Sequence, residues 1–245
     1  MICLRDLRSN RYLEKKISIT QAIFRFDVSP EIGYGHAMRC LTLAAELRTR
    51  GWQCFYATQN AGVDDVPILK AFADHHIPVS GDPDTEAGEL GGRFTEQNSW
   101  LIVDHYERDA VFEHACRSWA NKIMVITDLF DISHDCDVLL NQNIGSKAGH
   151  YEEQVPESCT VLAGTEYAMV RPEFAIERKA SGVDRSYSSQ RPRIMICFGG
   201  GDSQNITQQV IGLLAHSKLD ADIDIVVSAS YPHIESLKHA VKGLS

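Results

Sequence analysis

A histidine placed directly after a glycine loop is the strongest candidate for chemistry in this sequence. The loop reads Gly33-Tyr34-Gly35, and His36 follows it at the start of an amphipathic helix. Glycines here let the backbone approach a ligand, and the free N–H groups of the first helical turn suit a phosphate or an oxyanion. Since the positive end of the helix dipole opposes an imidazolium, His36 is expected to stay neutral and to serve as a base. The alternative is a helix-terminal histidine bonded to a backbone carbonyl.

Polar residues also follow the predicted strands. Asp104-His105-Tyr106 comes directly after an apolar run, and Asp128 ends the next one. Ligands of parallel sheets bind beyond the carboxyl ends of the strands, so these residues are predicted to converge with His36 and with the turn Gly199-Gly200-Gly201. For Asp104, Tyr106 and Asp128, the alternative is a polar strand end that caps the following helix.

Metal and dinucleotide sites are not indicated. One polar loop has a spacing that fits neither a zinc site nor an EF-hand; it contains Asp128, Asp131, His134, Asp135, Cys136 and Asp137. His75-His76 is predicted to end a helix over residues 68–76, where a cation is favourable. The glycine turn at 199–201 lacks the GxGxxG spacing, and no P-loop occurs. We therefore expect neither a metal nor a cofactor.

Strands and helices alternate in the segments that must position these residues. Cys40, Leu43, Ala44 and Leu47 follow the spacing of a helix, which is predicted to end at Gly51. A further helix is predicted over residues 111–120, and strands over residues 17–27, 52–58, 100–103, 123–127, 138–140 and 161–163. This alternation implies βαβ crossovers and a largely parallel sheet.

A polar stretch at residues 179–192 has the composition of a linker. It separates an N-terminal Rossmann-like domain, residues 21–178, from residues 193–245, and residues 1–20 are predicted to be an extension. After the linker the α/β pattern restarts with a strand at 194–198, a helix from Ile206 to Leu214, a strand at 223–227 and a helix after Pro232. A doubly wound domain needs more strands, so the second domain is expected to be partial unless another chain supplies the missing layer.

Composition excludes several classes of protein. The chain has 245 residues, 44% of them hydrophobic and 23% charged, which are ordinary globular values. Its net charge of −9 argues against a nucleic-acid binder. The seven cysteines form no CxxC pair, and the sequence has no signal-peptide h-region and no apolar run long enough for a membrane span. We expect a cytoplasmic protein without a nucleic-acid or membrane partner.

Several segments, in this order along the chain, are similar to the motifs of one family. They are Arg25-Phe26-Asp27 with Ile32-Gly33-Tyr34-Gly35-His36-Ala37-Met38-Arg39-Cys40-Leu41, Val103-Asp104-His105-Tyr106, His134-Asp135-Cys136-Asp137-Val138-Leu139-Leu140-Asn141, Tyr167-Ala168-Met169-Val170-Arg171-Pro172-Glu173-Phe174, and Phe198-Gly199-Gly200-Gly201-Asp202 with Asn205. The chain resembles the UDP-sugar hydrolases of pseudaminic acid biosynthesis over residues 22–245. That resemblance implies two Rossmann-like domains of the glycosyltransferase GT-B type, the second partial and nucleotide-binding. It also implies cleavage of UDP-2,4-diacetamido-2,4,6-trideoxy-β-L-altropyranose into UDP and the free sugar without a metal.

The resemblance also assigns roles to residues. It makes His36 the base that activates water and places Tyr106 in the sugar pocket beside the anomeric carbon. Arg39 either reaches the phosphates or forms a surface salt bridge. The remaining substrate-binding residues it implies are Gly33, Tyr34, Gly35, Asp104, Asp128, Arg171, Gly199 and Gly200. Chemistry agrees, because a diphosphate leaving group needs a base and charge stabilisation but little help from a general acid.

Three departures from the family pattern accompany the resemblance. Residues 1–20 precede the usual first strand, and the chain lacks the Gly-rich, Glu-containing segment that carries most uridine and diphosphate contacts. Phe26 replaces a small residue and is expected to pack under the sheet. The UDP-sugar is the expected partner of a monomeric protein. Two alternatives are a related GT-B glycosyltransferase, which needs an acceptor, and a non-catalytic remnant that exposes an unpaired sheet edge.

Overall fold

The computed structural model contains two parallel sheets flanked by helices. It describes residues 20–29, 32–59, 75–94, 98–181, 191–199, 202, 204–217, 219–228 and 231–242. The strands are β1 (Gln21–Arg25), β2 (Gln53–Gln59), β3 (His76–Val79), β4 (Ser99–Val103), β5 (Lys122–Ile126), β6 (Val138–Asn141), β7 (Thr160–Ala163), β8 (Arg193–Ile196) and β9 (Asp222–Ile225). The helices are α1 (Gly35–Thr49), α2 (Pro83–Gly91), α3 (Ala110–Cys116), α4 (Pro172–Ala180), α5 (Ile206–Ala215) and α6 (Ile234–Lys242).

The first sheet has seven strands in the order β3-β2-β1-β4-β5-β6-β7, and every neighbouring pair is parallel. The strand order reverses between β1 and β4, which makes their carboxyl ends the topological switch point of a Rossmann-like sheet. The predicted α/β class with a Rossmann-like first domain is confirmed. The described helices include none that is both long and apolar enough to span a membrane.

Alternation along β1 assigns its side chains to two cores. Ala22 and Phe24 pack with residues of α1, such as Cys40, on one face of the sheet. Ile23 packs on the other face with Leu90 of α2 and with residues of α3. Successive side chains of a strand point to opposite faces of the sheet. Successive polar residues at a strand end therefore lie on alternate faces, one covered by α1 and the other by α2 and α3.

Helix α1 forms where the sequence predicts it. It starts at Gly35, directly after the turn in which Gly33 adopts a φ of 86°, and it ends before Gly51, whose φ is 84°. Both backbone conformations suit glycine, which lacks the Cβ that would clash. Phe26 is fully buried under α1 and packs edge-on against Tyr56, so its predicted packing role is confirmed.

Several predicted boundaries are wrong. The residues 68–74 of one predicted helix lie outside the described part of the chain, and His76 does not end a helix but begins β3, with its Nε2 2.8 Å from the Thr58 hydroxyl. Helix α3 ends at Cys116, short of residue 120, and three turn residues follow it. Helix α4 continues to Ala180, which lies inside the predicted linker 179–192. Strand β3 and helices α2 and α4 were not predicted at all.

The second sheet pairs β8 with β9 in parallel, and Ile194 lies opposite Ile223. Helices α5 and α6 pack together through Ile211, Tyr231 and Leu237. These four elements match the strands and helices predicted from the sequence after residue 193.

Candidate active site

The imidazole of His36 is held by a carboxylate at the end of β4. His36 lies in the first turn of α1, and Asp104 follows Val103, one backbone hydrogen bond beyond the strand. The distance from His36 Nδ1 to Asp104 Oδ1 is 2.5 Å. Because a carboxylate only accepts, Nδ1 carries the proton, and the lone pair of the neutral ring is on Nε2. Among the described residues, none hydrogen-bonds Nε2.

Arg39 binds two carboxylates from one helical turn after His36. Its Nε and Nη2 donate to the two oxygens of Asp104, at 2.5 and 2.6 Å, and its Nη1 donates to Asp128 at 2.9 Å. The Arg39 side chain is 12% exposed. The salt bridges of Arg39 therefore lie within the site and not at the surface, and its phosphate contact stays a prediction.

Tyr106 covers His36 from the solvent side. The two ring centroids are 4.9 Å apart and nearly perpendicular, and the Tyr106 hydroxyl donates to Asp128 Oδ2 at 3.3 Å. Asn143, in the connection after β6, donates to the other oxygen of Asp128 at 3.2 Å. Burial and the nearby Asp128 carboxylate raise the pKa of Tyr106, so its hydroxyl stays protonated. His36, Arg39, Asp104, Tyr106 and Asp128 thus form one hydrogen-bonded group, as the convergence of strand ends predicted.

A second group lies on the opposite face of the same strand ends. Asp27 accepts a hydrogen bond of 2.8 Å from His105 Nε2 and one of 3.0 Å from the Gln59 amide. His105 Nδ1 accepts the amide N–H of Glu107 at 3.0 Å. The amide bond fixes His105 as the neutral tautomer that donates to Asp27, so both ring nitrogens are occupied. His105 therefore anchors the loop that carries Asp104 and Tyr106, and it is not a free base.

A network of three fully buried charged residues connects Asp27 to helix α2. Arg25 donates to Asp27 Oδ1 at 2.7 Å and also to Glu86 of α2. Arg108, after β4, donates to Glu86 Oε2 at 2.7 Å and to the carbonyl of Gly81 at 2.8 Å. The side chains of Arg25, Glu86 and Arg108 are 0% exposed. Buried charges require such pairing, because desolvation is otherwise unfavourable.

The two strand-end aspartates are held as carboxylates. Burial alone would raise the pKa of Asp104, but hydrogen bonds from Arg39 and His36 outweigh it and lower that pKa below the ordinary value. For Asp27, hydrogen bonds from His105 and Arg25 likewise outweigh burial and lower the pKa. Both groups are therefore negatively charged at neutral pH.

A cleft of about 210 Å³ opens over this edge of the sheet. Its lining residues come from both groups and from the neighbouring loops: Asp27, Ile32, His36, Gln59, Asp104, His105, Tyr106 and Glu107. Among the described residues, this lining has three carboxylates and no lysine or arginine. Because Arg25 and Arg39 are already paired with Asp27 and Asp104, this described lining offers no free cation to a phosphate, and a neutral group fits it better. A base with a free lone pair in a carboxylate-lined cleft is suited to deprotonating water against a neutral sugar ring.

The other predicted site residues that the structure describes are not among those that line the cleft. Gly33, Tyr34 and Gly35 form the entry to α1 but do not line the cleft. Gly35, Arg39 and Arg171 line a second cavity of about 450 Å³, with Met38, Thr42, Gln142, Met169, Val170 and Phe174. Gly199 follows β8 with a φ of 82°, and Gly200 is outside the described residues.

The alternative role of helix capping is wrong for Asp104. The helix after β4 is capped by Asp109, which accepts the amide N–H of Val111 at 3.0 Å. The polar loop after β5 has separate partners for its members: His134 contacts Glu113, and Asp135 and Asp137 each pair with Arg117. Within the described residues, no three His, Cys, Asp or Glu side chains come together as a metal site.

Sequence reasoning expected His105 near His36 and placed Arg25 and Asp27 in a family motif, but it gave none of the three a role, and it missed Glu86 and Arg108. Arg25 and Asp27 carried one available signal, because a charged residue at the end of an otherwise apolar strand must have a partner if it is buried. Glu86 carried none, since a glutamate in a polar helix usually faces solvent.

Comparisons with known proteins give two relatives. The chain is 31% identical over 224 residues to the UDP-2,4-diacetamido-2,4,6-trideoxy-beta-L-altropyranose hydrolase of Campylobacter jejuni, covering 91% of this chain and 74% of that protein. It is 25% identical over 222 residues to an uncharacterized protein of Methanocaldococcus jannaschii, covering 89% of this chain and 45% of that protein. No protein-family model matches the sequence.

Proposed function

The chain belongs to the family of the UDP-2,4-diacetamido-2,4,6-trideoxy-β-L-altropyranose hydrolase, and from this membership we propose that it hydrolyses that UDP-sugar to UDP and the free sugar. The relationship also fits the GT-B scaffold expected from the sequence. The proposal extends the family's UDP-sugar hydrolysis to a defined substrate and to a mechanism centred on His36.

One observation carries the mechanism: the Asp104 carboxylate lies 2.5 Å from His36 Nδ1, and as an acceptor it favours the tautomer whose lone pair is on Nε2. A carboxylate that accepts from one imidazole nitrogen fixes the tautomer and the ring orientation, and it stabilises the imidazolium formed when the other nitrogen takes a proton. Asp104 is suited to this because Arg39 keeps it ionised. His36 also lines the cleft, so its Nε2 is within reach of a water molecule there.

The reaction proceeds as a displacement at the anomeric carbon. A water oxygen attacks this carbon, and His36 Nε2 accepts the proton that water loses. The bond from the anomeric carbon to the diphosphate oxygen breaks, and its electron pair leaves with UDP. No second carboxylic acid is needed, because the diphosphate is already a good leaving group. The carboxylates of the cleft favour the positive charge that develops on the sugar ring in such a transition state.

Tyr106 contributes a surface for the sugar. Its ring is 52% exposed, packs against His36 on one side and borders the cleft. Its hydroxyl is bonded to Asp128, which also binds Arg39 and Asn143. This arrangement keeps the ring beside the base. We assign Tyr106 to sugar binding next to the anomeric carbon, with Asp104, Arg39 and Asp128 as the residues that position the base.

The test is to incubate the purified chain with the UDP-diacetamido-trideoxy-altrose and to follow UDP by anion-exchange chromatography. UDP-N-acetylglucosamine is the substrate control, and His114→Asn, on the exposed face of α3, is the protein control. Hydrolysis in isotope-labelled water should place the label on the released sugar. UDP release that needs an added acceptor sugar or lipid would instead indicate a glycosyltransferase. The absence of release under every condition would overturn the proposed activity of this chain.

A further inference from the structure

Two thiols meet at the edge of the sheet opposite the cleft. Cys136 lies two residues before β6 and Cys159 directly before β7, and their sulphur atoms are 3.6 Å apart. Strands β6 and β7 are parallel, with Val138 opposite Thr160, and the Thr160 amide donates to the carbonyl of Asp137 at 2.9 Å. The pairing of the two strands therefore keeps these cysteines together although 23 positions separate them.

The two thiols differ in access to solvent. Cys136 is 0% exposed within the core that contains Leu139 and Tyr151. Cys159 is partly exposed and lines a cavity of about 450 Å³ whose other walls include Glu152 and Glu157. A reagent from solvent therefore reaches Cys159 first, and Cys136 can react only with its neighbour. The carboxylates of the cavity favour a neutral reagent over an anionic one.

Hydrogen bonding makes Cys159 the better nucleophile of the two. The two thiols hydrogen-bond each other, with either able to donate, and this bond and that of the Leu139 amide lower the pKa of Cys159 despite burial. The same thiol–thiol bond, with burial, raises the pKa of Cys136. The thiolate is the reactive form of cysteine, so attack begins at Cys159. The sulphurs of Cys40 and Cys54 are bonded instead to Asp104 and to the carbonyl of Ala44.

We propose that Cys136 and Cys159 form a reversible oxidation site that takes hydrogen peroxide, a small neutral molecule, as its oxidant. The Cys159 sulphur attacks one peroxide oxygen, the O–O bond breaks, and a sulfenic acid and one water form. The Cys136 sulphur then attacks the Cys159 sulphur, the S–O bond breaks, and the Cys136 proton leaves with the hydroxyl group as a second water. Two thiols lose two electrons in total, which reduce one peroxide, and a low-molecular-weight thiol reverses the reaction.

The cross-link would restrain one defined segment. It closes the chain between Cys136 and Cys159, which includes β6 and the single 3₁₀ turn Ala148–Tyr151. A cross-link of this kind reduces the freedom of the unfolded chain, so the oxidised protein is expected to melt at a higher temperature than the reduced one. The cysteines precede the strands, whereas the catalytic group follows them, so hydrolysis need not change.

The experiment treats the reduced full chain with hydrogen peroxide, alkylates the remaining thiols after denaturation and maps the peptides by mass spectrometry. The expected product links the Cys136 and Cys159 peptides with the loss of two hydrogen atoms, and dithiothreitol reverses both this linkage and the higher melting temperature. Cys116→Ser, a buried cysteine outside the pair, should form the link normally, and Cys159→Ser should leave Cys136 alkylated. Alkylation of Cys136 in oxidised wild-type protein, or a Cys159 sulfinic acid without the link, would overturn the proposal.

Discussion

Asp104 binds His36 and Arg39 at the same time, with Nδ1 of the imidazole 2.5 Å from one carboxylate oxygen and the guanidinium bonded to both oxygens. The carboxylate therefore has two tasks, to fix the histidine tautomer and to balance a partly buried arginine. The arrangement predicts how activity and stability separate when each partner is changed.

Replacing the base should remove activity and spare the fold. His36→Gln is expected to lower kcat by about 10²–10⁴-fold, the usual contribution of a general base. UDP release measures the activity, and a thermal melt measures the fold. His114→Asn serves as the matched control, because the side chain of His114 is 82% exposed and, among the described residues, pairs with Asp135 alone. Full activity in His36→Gln would contradict the assignment of the base.

His36 and Asp104 should behave as one catalytic unit in a double-mutant cycle. Asp104→Asn removes the acceptor that fixes the His36 tautomer, so we expect kcat to fall by about 10²-fold or more. In the His36→Gln background, the same change should cost little additional activity, because groups that act together are not additive. Equal losses of activity in both backgrounds, measured as UDP release per folded molecule, would show that Asp104 acts independently of His36.

The buried glutamate of α2 should be among the most important residues for stability. Glu86→Gln replaces the carboxylate between Arg25, which keeps its pair with Asp27, and Arg108, which loses its salt bridge, and breaking such a buried pair costs about 3–5 kcal/mol. Urea unfolding measures the free energy of unfolding. Glu46→Gln removes the exposed pair with Arg50 and should change that free energy by about 0–1 kcal/mol. Similar losses in the two variants would contradict the importance of burial.

Acid should destabilise the protein through Asp27 and Asp104. Their pKa values in the folded protein lie below the ordinary value, which is about 3.9 in an unfolded chain. The unfolded chain therefore binds more protons, and the stabilisation is complete above about pH 4 and decreases as the pH falls further. In urea unfolding, Asp27→Asn should reduce the decrease of the free energy of unfolding at acidic pH, whereas Asp131→Asn, at an exposed position, should leave this decrease unchanged. The same decrease in Asp27→Asn as in the wild type would contradict the role of Asp27 in acid stability.

The sequence alone was sufficient to predict the elements that have a clear hydrophobic pattern. The apolar runs of β1, β2 and β4 to β7 and the helical spacing of α1 placed His36, Asp104, Tyr106 and Asp128 at one edge correctly. Strand β3 was missed because it has only four residues, His76–Val79, with a proline among them, and because His76 was assigned to a helix. Helix α2 was missed because two glycines lie among its mostly polar residues, although Asp82 and Pro83 are typical of a helix start.

The site was only partly predictable for a related reason. Spacing shows which residues share a strand end, but it does not show which charged pairs are buried together. Arg25 and Glu86 are 61 positions apart, and only the docking of α2 on the sheet brings them into contact. The sequence placed Arg39 one turn after His36, but it gave no indication that Asp104 and Asp128 would accept hydrogen bonds from its guanidinium.

Helix α2 supplies no residue to the cleft, yet Glu86 is the counter-ion of Arg25, which in turn holds Asp27 and through it His105. In a library of random substitutions screened for turnover, inactive clones should therefore map to the inner face of Pro83–Gly91 as well as to the cleft. An engineer who wishes to change the sugar accepted by the cleft should vary Ile32, Gln59 or Glu107 and keep Glu86 fixed.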